Sequence, residues 1–180
     1  SVDVYKRQSK VSLKGKTKLL AKKNLYHEID FSPDGKFILI SIIQKPFSYL
    51  VPYYRFPMKY AIYSSKGKEL TVLHEVPLIE DLPKGFMAVR TGPRNFSWRS
   101  DMPSNLIFVE ALDGGNPETD VKYRDEIFEV GYPFKQNKVS LLKTINRFYR
   151  IDWCNDTLAL GYDYWCCLLY TSPSPRDSSQ

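Results

Sequence analysis

The residues that could act as a nucleophile, a base or a metal ligand are few in this sequence. The chain has two histidines, His27 and His74, and neither has a nucleophile-like partner nearby. Serine-based hydrolysis needs an activated serine, usually within G-x-S-x-G, with a histidine base and an acid that orients it. No G-x-S-x-G occurs in the 180 residues. The sequence therefore predicts no catalytic residue, and both histidines are interpreted as ordinary structural or surface side chains.

The cysteines do not indicate a metal site or a cofactor. Cys154 and Cys166 lack the C-x-x-C spacing of zinc sites and have no histidine beside them. They could form one disulfide, but a single pair does not identify a redox compartment. We predict no metal and no cofactor.

Arginine and aromatic side chains are the remaining groups that could bind a ligand or a partner. Residues 44–57 read QKPFSYLVPYYRFP, and residues 85–94 read GFMAVRTGPR. Arginine and aromatic residues together are typical of surfaces that bind a partner, and a guanidinium can hold a carboxylate through two parallel hydrogen bonds. We predict substrate-binding or domain-interface roles for Arg90, Arg94, Arg99, Tyr53, Tyr54 and Arg55. In the alternative interpretation, the aromatic side chains fold back as a small satellite core and the arginines pair with Glu80, Asp81 or Asp101.

A weak internal repeat predicts the elements that must position these residues. Residues 27–41, 94–111 and 149–160 each contain an apolar residue, a spacer and an aromatic, followed by a polar turn and a second apolar run. The alternation has the period of two that is typical of strands. Two further strand-like runs follow each of the first two hairpins, at residues 58–64, 69–76, 126–132 and 139–144.

Four antiparallel strands per repeat predict an all-β fold, a partial β-propeller of four-stranded antiparallel blades. The chain would hold two whole blades plus parts of two others, namely a last strand at residues 11–20 and a first half at residues 149–163. A propeller closes with about 4 to 8 blades, so we expect the natural protein to continue beyond both ends. A β-sandwich built from the same short strands is the alternative fold.

Strand alternation also predicts where the long connections lie. Residues 44–57, 77–93 and 112–124 should all emerge at one end of the blades, whereas the opposite end should carry short turns. Loops longer than about 12 residues in a compact domain are usually functional or disordered. We expect the long-loop end to carry the function.

The composition argues against two classes of partner. The net charge is +6, and in its densest stretch Lys14, Lys16 and Lys18 alternate with other residues like the outward face of a strand. No recognised nucleic-acid-binding module accompanies this charge. No apolar run approaches the roughly 20 residues that span a bilayer. We predict neither a nucleic-acid nor a membrane partner.

Both ends look foreign to the middle of the chain. Residues 3–8 read DVYKRQ and residues 167–177 read CLLYTSPSPRD, and both strings resemble translated sequencing-adapter DNA. We therefore assign residues 1–8 and 167–180 to probable adapter-derived segments and residues 9–166 to the partial propeller.

Several ordered segments resemble a known family. SPDGKFILIS, PFSYLVPYYRFP, AVRTGPRNFSW and VEALDGGNP, followed by YRD, are similar in the same order to the propeller of glutamyl endopeptidase-type members of the prolyl oligopeptidase family. SPDG occurs in many propellers, but the combination of PYYRFP, RTGPR and EALDGG is more specific. The resemblance covers nearly all of residues 9–166.

The resemblance implies a larger serine peptidase in which a C-terminal α/β-hydrolase domain, absent from this chain, cleaves peptides after glutamate. The propeller would restrict access to that domain and help to hold the peptide, with Arg90, Arg94 and Arg99 as nominees for contact with the glutamate carboxylate. The partners implied are the hydrolase domain and a peptide. The resemblance allows two locations, because the family occurs in bacteria, where it can be extracytoplasmic, and in plastids. The alternative function is a stand-alone propeller that acts as a protein-binding scaffold.

Overall fold

The computed structural model describes residues 6–135 and 137–166, and this part of the chain is all-β. A 3-10 turn, Tyr53–Arg55, lies between the fourth and fifth strands of the described part. The twelve strands there are β1 (Lys6–Val11), β2 (Thr17–Asn24), β3 (Tyr26–Phe31), β4 (Phe37–Ile43), β5 (Met58–Ser64), β6 (Glu69–Val76), β7 (Arg94–Trp98), β8 (Leu106–Ala111), β9 (Asp125–Val130), β10 (Val139–Thr144), β11 (Arg147–Asn155) and β12 (Leu158–Tyr164).

The strands form two four-stranded antiparallel sheets flanked by two hairpins. The order β3-β4-β5-β6 makes the first sheet and β7-β8-β9-β10 the second, while β1 pairs with β2 and β11 pairs with β12. Neighbouring strands in the sequence are thus neighbours in each sheet, as in the blades of a propeller. The predicted all-β fold with four-stranded antiparallel blades, two of them whole and two in part, is confirmed.

Successive side chains of β4 point to opposite faces of the sheet, as the period of two requires. Ile38 and Ile40 lie in one buried cluster, against which Leu20 of β2 packs. Leu39, between them, lies in a second cluster with Phe96 of β7. The central strand of the first sheet is therefore covered on both faces by the preceding and the following sheets.

A third cluster continues the stacking toward the last hairpin. Ile107 and Val109 of β8 are buried with Phe148 of β11. Each such side chain, once removed from water, stabilises the fold by roughly 1.5–3 kcal/mol. Hydrogen bonds also tie the sheets together: Trp98 Nε1 donates to Asp30 O at 3.2 Å, and Asp34 N donates to Pro103 O at 3.0 Å.

The structure corrects the prediction of one strand at residues 11–20. This stretch contains a turn between β1 and β2, in which Ser12 N donates to Lys16 O at 2.9 Å. Gly15 takes a φ of 76°, a left-handed conformation that is open to glycine at no steric cost. The glycine therefore allows the chain to reverse where the alternating lysines indicated a continuous strand.

The structure does not test the assignment of the two ends. Residues 6–8 belong to β1, although the sequence pattern placed them in an adapter-derived segment. Residues 1–5 and 167–180 lie outside the described residues. The boundaries after residues 8 and 166 stay predictions.

Three long connections meet at one end of the sheets. They are residues 44–57, 77–93 and 112–124, and we call them together the long-loop end. Ile79 N donates to Arg55 O at 2.9 Å, and Val89 N donates to Gly115 O at 3.1 Å, so the middle loop bonds to both others. The predicted gathering of the long loops at one end is confirmed.

Candidate functional site

The aromatic loop presents two tyrosines at the long-loop end. The 3-10 turn places Tyr53 and Tyr54 with 57% and 63% of their surface exposed and their rings perpendicular at 5.9 Å. Phe47 and Phe56 stack on each other at 5.5 Å, although Phe47 remains exposed. Arg55 stays half-buried, and its Nε has no hydrogen-bond partner within the described residues.

Arg90 lies in the middle loop, where its guanidinium bonds to neutral oxygens. Nη1 donates to Thr91 O at 3.1 Å, Nη2 donates to Pro93 O, and the side chain also hydrogen-bonds Tyr60. No carboxylate pairs with Arg90 in residues 6–135 and 137–166. Burial lowers the pKa of Arg90, and the neighbouring charge of Arg94 adds to this effect. Arg90 therefore holds its own turn in place and keeps a charge that no acid among the described residues neutralises.

A cleft of about 570 Å³ opens beside Arg90, between the end of β6 and residues 77–93. His74 lines it together with Arg90, Gly92 and Gly114. Burial lowers the pKa of His74, and the positive charge of Arg90 lowers it further. In its neutral form, which this lowered pKa favours, His74 offers one N–H donor and one acceptor nitrogen at the cleft wall.

Arg94 lies below the loops in a buried ion pair. It begins β7, and its Nη2 donates to Asp125, which has no exposed surface. Nη1 of Arg94 is buried without a hydrogen-bond partner in the part of the chain that the structure describes. Arg94 is thus paired with a carboxylate, but with none of Glu80, Asp81 and Asp101, the partners that the alternative interpretation named.

Arg147 completes that network and was not predicted from the sequence. Only 2% of Arg147 is exposed, and it donates to Met87 O at 2.9 Å, to Asp125 Oδ1 at 3.0 Å and to Asp113 Oδ2 at 2.7 Å. Arg124 Nη1 donates to the same Asp113 oxygen at 3.0 Å. The only signal in the sequence is a charged residue at the start of an aromatic strand, and it does not identify partners more than twenty positions away.

Arg99 lies at the opposite end of the sheets, just after β7. It donates to Asp101 Oδ2 at 2.6 Å and to Glu129 Oε2 at 2.7 Å, and its guanidinium lies 3.9 Å from the Trp153 ring centre. The pairing with Asp101 is the one that the alternative interpretation named.

The structure thus divides the six nominated residues by location. Arg90, Tyr53, Tyr54 and Arg55 belong to the long-loop end, whereas Arg94 is in the buried network and Arg99 is at the other end. A role of any of them in substrate binding or at a domain interface stays a prediction.

Metal and membrane features are absent from the described residues. No group of three histidine, cysteine, aspartate or glutamate side chains there could hold a metal ion. Residues 6–135 and 137–166 also contain no helix with the length and apolar character needed to cross a membrane.

Comparison with known proteins relates the chain to peptidases. No family model matches it. Curated proteins named "Probable glutamyl endopeptidase, chloroplastic" from Oryza sativa subsp. japonica and Arabidopsis thaliana are each 36% identical to it over 156 residues, or 86% of this chain. Those residues are 17% and 16% of the two relatives, so the chain spans about a sixth of their length. The similarity to glutamyl endopeptidases that the sequence motifs indicated is confirmed.

One solved structure supports the fold alone. A crystal structure of an uncharacterized protein from Listeria monocytogenes EGD-e superimposes with a TM-score of 0.50 at 16% identity. The superposition covers 87% of this chain and 38% of the other chain.

Proposed function

We propose that this chain is a non-catalytic propeller portion of a serine-type endopeptidase of the prolyl oligopeptidase family that cleaves peptides after glutamate. The observation that carries the proposal is the similarity to glutamyl endopeptidases across 86% of the chain, which spans only about a sixth of their length. The lack of G-x-S-x-G in the sequence supports a catalytic serine elsewhere in a longer parent protein.

The long-loop end would face an α/β-hydrolase domain of the same parent, restrict access to its active site and help to hold the peptide. Exposed Tyr53 and Tyr54 support this orientation, because aromatic residues are enriched at protein interfaces. Arg90 is the best-placed residue to bind the glutamate carboxylate, because it lines a cleft and has no acidic partner among the described residues. Arg94 and Arg99 are already paired with carboxylates.

Replacing Arg90 with Ala in the full-length enzyme tests the proposal. We expect kcat/KM for glutamyl peptides to fall by an amount equivalent to about 1.5–3 kcal/mol, the usual contribution of a hydrogen bond to a charged group. Neutral peptides should lose less, and Arg90→Lys should restore only part of the activity because lysine lacks the planar fork. Equal losses on both substrates, or a loss that unfolding explains, would assign Arg90 to structure.

Recovering the longer reading frame tests the parent protein directly. A downstream G-x-S-x-G with later Asp and His would support the peptidase. In a separate test, the isolated 180-residue chain should neither cleave a glutamyl peptide nor react with a serine-directed probe, because it lacks the catalytic serine motif. A stop codon soon after the last blade would instead support the stand-alone scaffold, which the exposed tyrosines also suit.

A further inference from the structure

The cleft beside Arg90 carries unpaired charges of both signs. Glu80 and Asp81 line the same cavity as Arg90 and are both exposed. Neither carboxylate forms a salt bridge or a hydrogen bond within residues 6–135 and 137–166. Two adjacent acids and a guanidinium therefore share one cleft without neutralising one another.

The positive wall of the cleft is backed by further positive charge. Arg94, Arg124 and Arg147 pair with Asp113 and Asp125 and with no other carboxylate of the described residues. Arg90, which has no acidic partner there, interacts electrostatically with Arg94. The network thus has a formal excess of two positive charges. The neutral oxygens that hydrogen-bond Arg90 do not cancel this charge, so an incoming carboxylate would be attracted to Arg90.

The rim of the cleft favours the opposite charge. Glu80 and Asp81 stand on residues 77–93, the loop that also contributes Arg90. A ligand with only a carboxylate would be repelled by these acids, whereas a ligand with a nearby ammonium group would satisfy both walls. A cavity of about 570 Å³ is within the range of sites that hold small molecules and short peptides.

We propose that this cleft binds a peptide that carries a carboxylate and an ammonium group close together, with Arg90 holding the carboxylate and Glu80 and Asp81 attracting the ammonium. The inference rests on the proposed function in that the ligand is a peptide and its carboxylate is that of glutamate. It adds a second requirement, a positive group beside the glutamate, which the peptide's free amino terminus or a lysine side chain can supply.

Peptide titrations of the 180-residue chain, followed by NMR or calorimetry, separate the two requirements. The peptides are Ala-Glu-Ala-amide with a free amino terminus, its N-acetylated form, Ala-Gln-Ala-amide, and N-acetyl-Lys-Glu-Ala-amide. We expect acetylation to weaken binding of the first peptide about five- to tenfold, and replacement of Glu by Gln to weaken it about tenfold or more. Recovery of affinity with the lysine peptide would identify a side-chain ammonium as sufficient.

Matched variants assign each effect to its residues. Glu80→Gln combined with Asp81→Asn should abolish the penalty of acetylation, whereas Glu118→Gln with Asp120→Asn removes the same charge from exposed residues outside the cleft and should leave it unchanged. Arg90→Lys should reduce the discrimination between the Glu and Gln peptides. Circular dichroism checks that each variant is folded.

The outcomes distinguish this inference from the proposed function. Equal binding of the free and acetylated peptides, or equal effects of the two double variants, would overturn the requirement for an ammonium group and leave glutamate recognition intact. Equal binding of the Glu and Gln peptides would overturn carboxylate recognition by Arg90, and no saturable binding at millimolar peptide would overturn both.

Discussion

Asp125 is a buried carboxylate that accepts hydrogen bonds from three residues. It is fully buried, and it accepts from Arg147 at Oδ1 and from Arg94 and the Phe148 N–H at Oδ2. These donors come from β7 and from the start of β11, so one carboxylate joins the second sheet to the last hairpin. Removing one partner of such a buried pair leaves uncompensated charge.

Replacing Asp125 with Ala should therefore destabilise the chain by about 3–5 kcal/mol. Urea unfolding of the variant measures the loss, and Asp120→Ala, which removes an exposed aspartate near the same loop, is the control. A loss no larger than that of the control would mean that the network contributes no net stability.

His74 provides a test of the cleft by pH. Burial and then Arg90 lower its pKa, against the smaller opposite effects of Glu110 and Glu75. The unfolded chain, in which the histidine pKa is about 6.5, therefore takes up this proton more readily than the folded chain. The folded state is free of this penalty above that pH and loses stability as the pH falls through 6.5 toward the lower folded value.

We expect His74→Gln to reduce the drop in Tm between about pH 7.5 and pH 5.5, because that variant has no proton to bind at this position. His27→Gln, at an exposed histidine, should retain the drop of the original chain. The same pH dependence in all three proteins would show that other groups cause it.

The ion pairs show how far the sequence predicts a single residue's role. Arg99 and Asp101 are two positions apart, so the sequence alone was enough to predict their pairing as the alternative to a binding role for Arg99. Arg147 and Asp113 are 34 positions apart and meet only because two sheets stack. Neither the charge of Arg147 nor its neighbours in the chain contain that information.

At the scale of elements, the residue pattern predicted the bounds of several strands. The bounds of β5, β6 and β10 agree with the runs 58–64, 69–76 and 139–144 that the sequence predicted as strands. The β1–β2 hairpin was missed because its lysines alternate on both sides of the turn and mask it. Turn glycines in a polar stretch are thus the weakest signal in this sequence.

Two adjacent glycines of residues 112–124 test the contact between the long loops. Gly114 and Gly115 both have positive φ, at 66° and 80°, but a Cβ on Gly115 would lie 2.0 Å from Val89 O, whereas one on Gly114 would meet nothing within 4 Å. Gly114→Ala should cost only the roughly 1–2 kcal/mol of the left-handed backbone. Gly115→Ala should cost clearly more and should separate the two loops.

Thermal unfolding of both variants measures the difference. Loss of amide protection at Val89, which donates to Gly115 O, would locate the effect of Gly115→Ala at the loop contact. Equal destabilisation by the two substitutions would show that the two loops can move apart at Gly115 without loss of stability.

At the scale of the whole molecule, the two hairpins leave strand edges open. Among the described residues, β12 pairs only with β11 and β1 only with β2. The exposed apolar side chains of β12 are Leu158, Leu160, Tyr162 and Tyr164. An unpaired edge with apolar side chains is a template for pairing with another chain.

The isolated chain should therefore self-associate as its concentration rises, and sedimentation velocity across a concentration series would show it. Leu160→Lys places a charge on the open hairpin and should shift the equilibrium toward monomer. A monodisperse monomer with one sharp melting transition would contradict this expectation and the open-propeller interpretation.

The position of Arg147 in the chain also affects when the second sheet can complete its contacts during synthesis. Asp113 and Asp125 belong to the second sheet and its loop, but the guanidinium that joins them comes from the first residue of β11. During synthesis the ribosome releases both aspartates before that arginine, and domains generally fold from the amino terminus. A nascent second sheet would therefore lack this ion-pair network until the first residue of β11 has been synthesised.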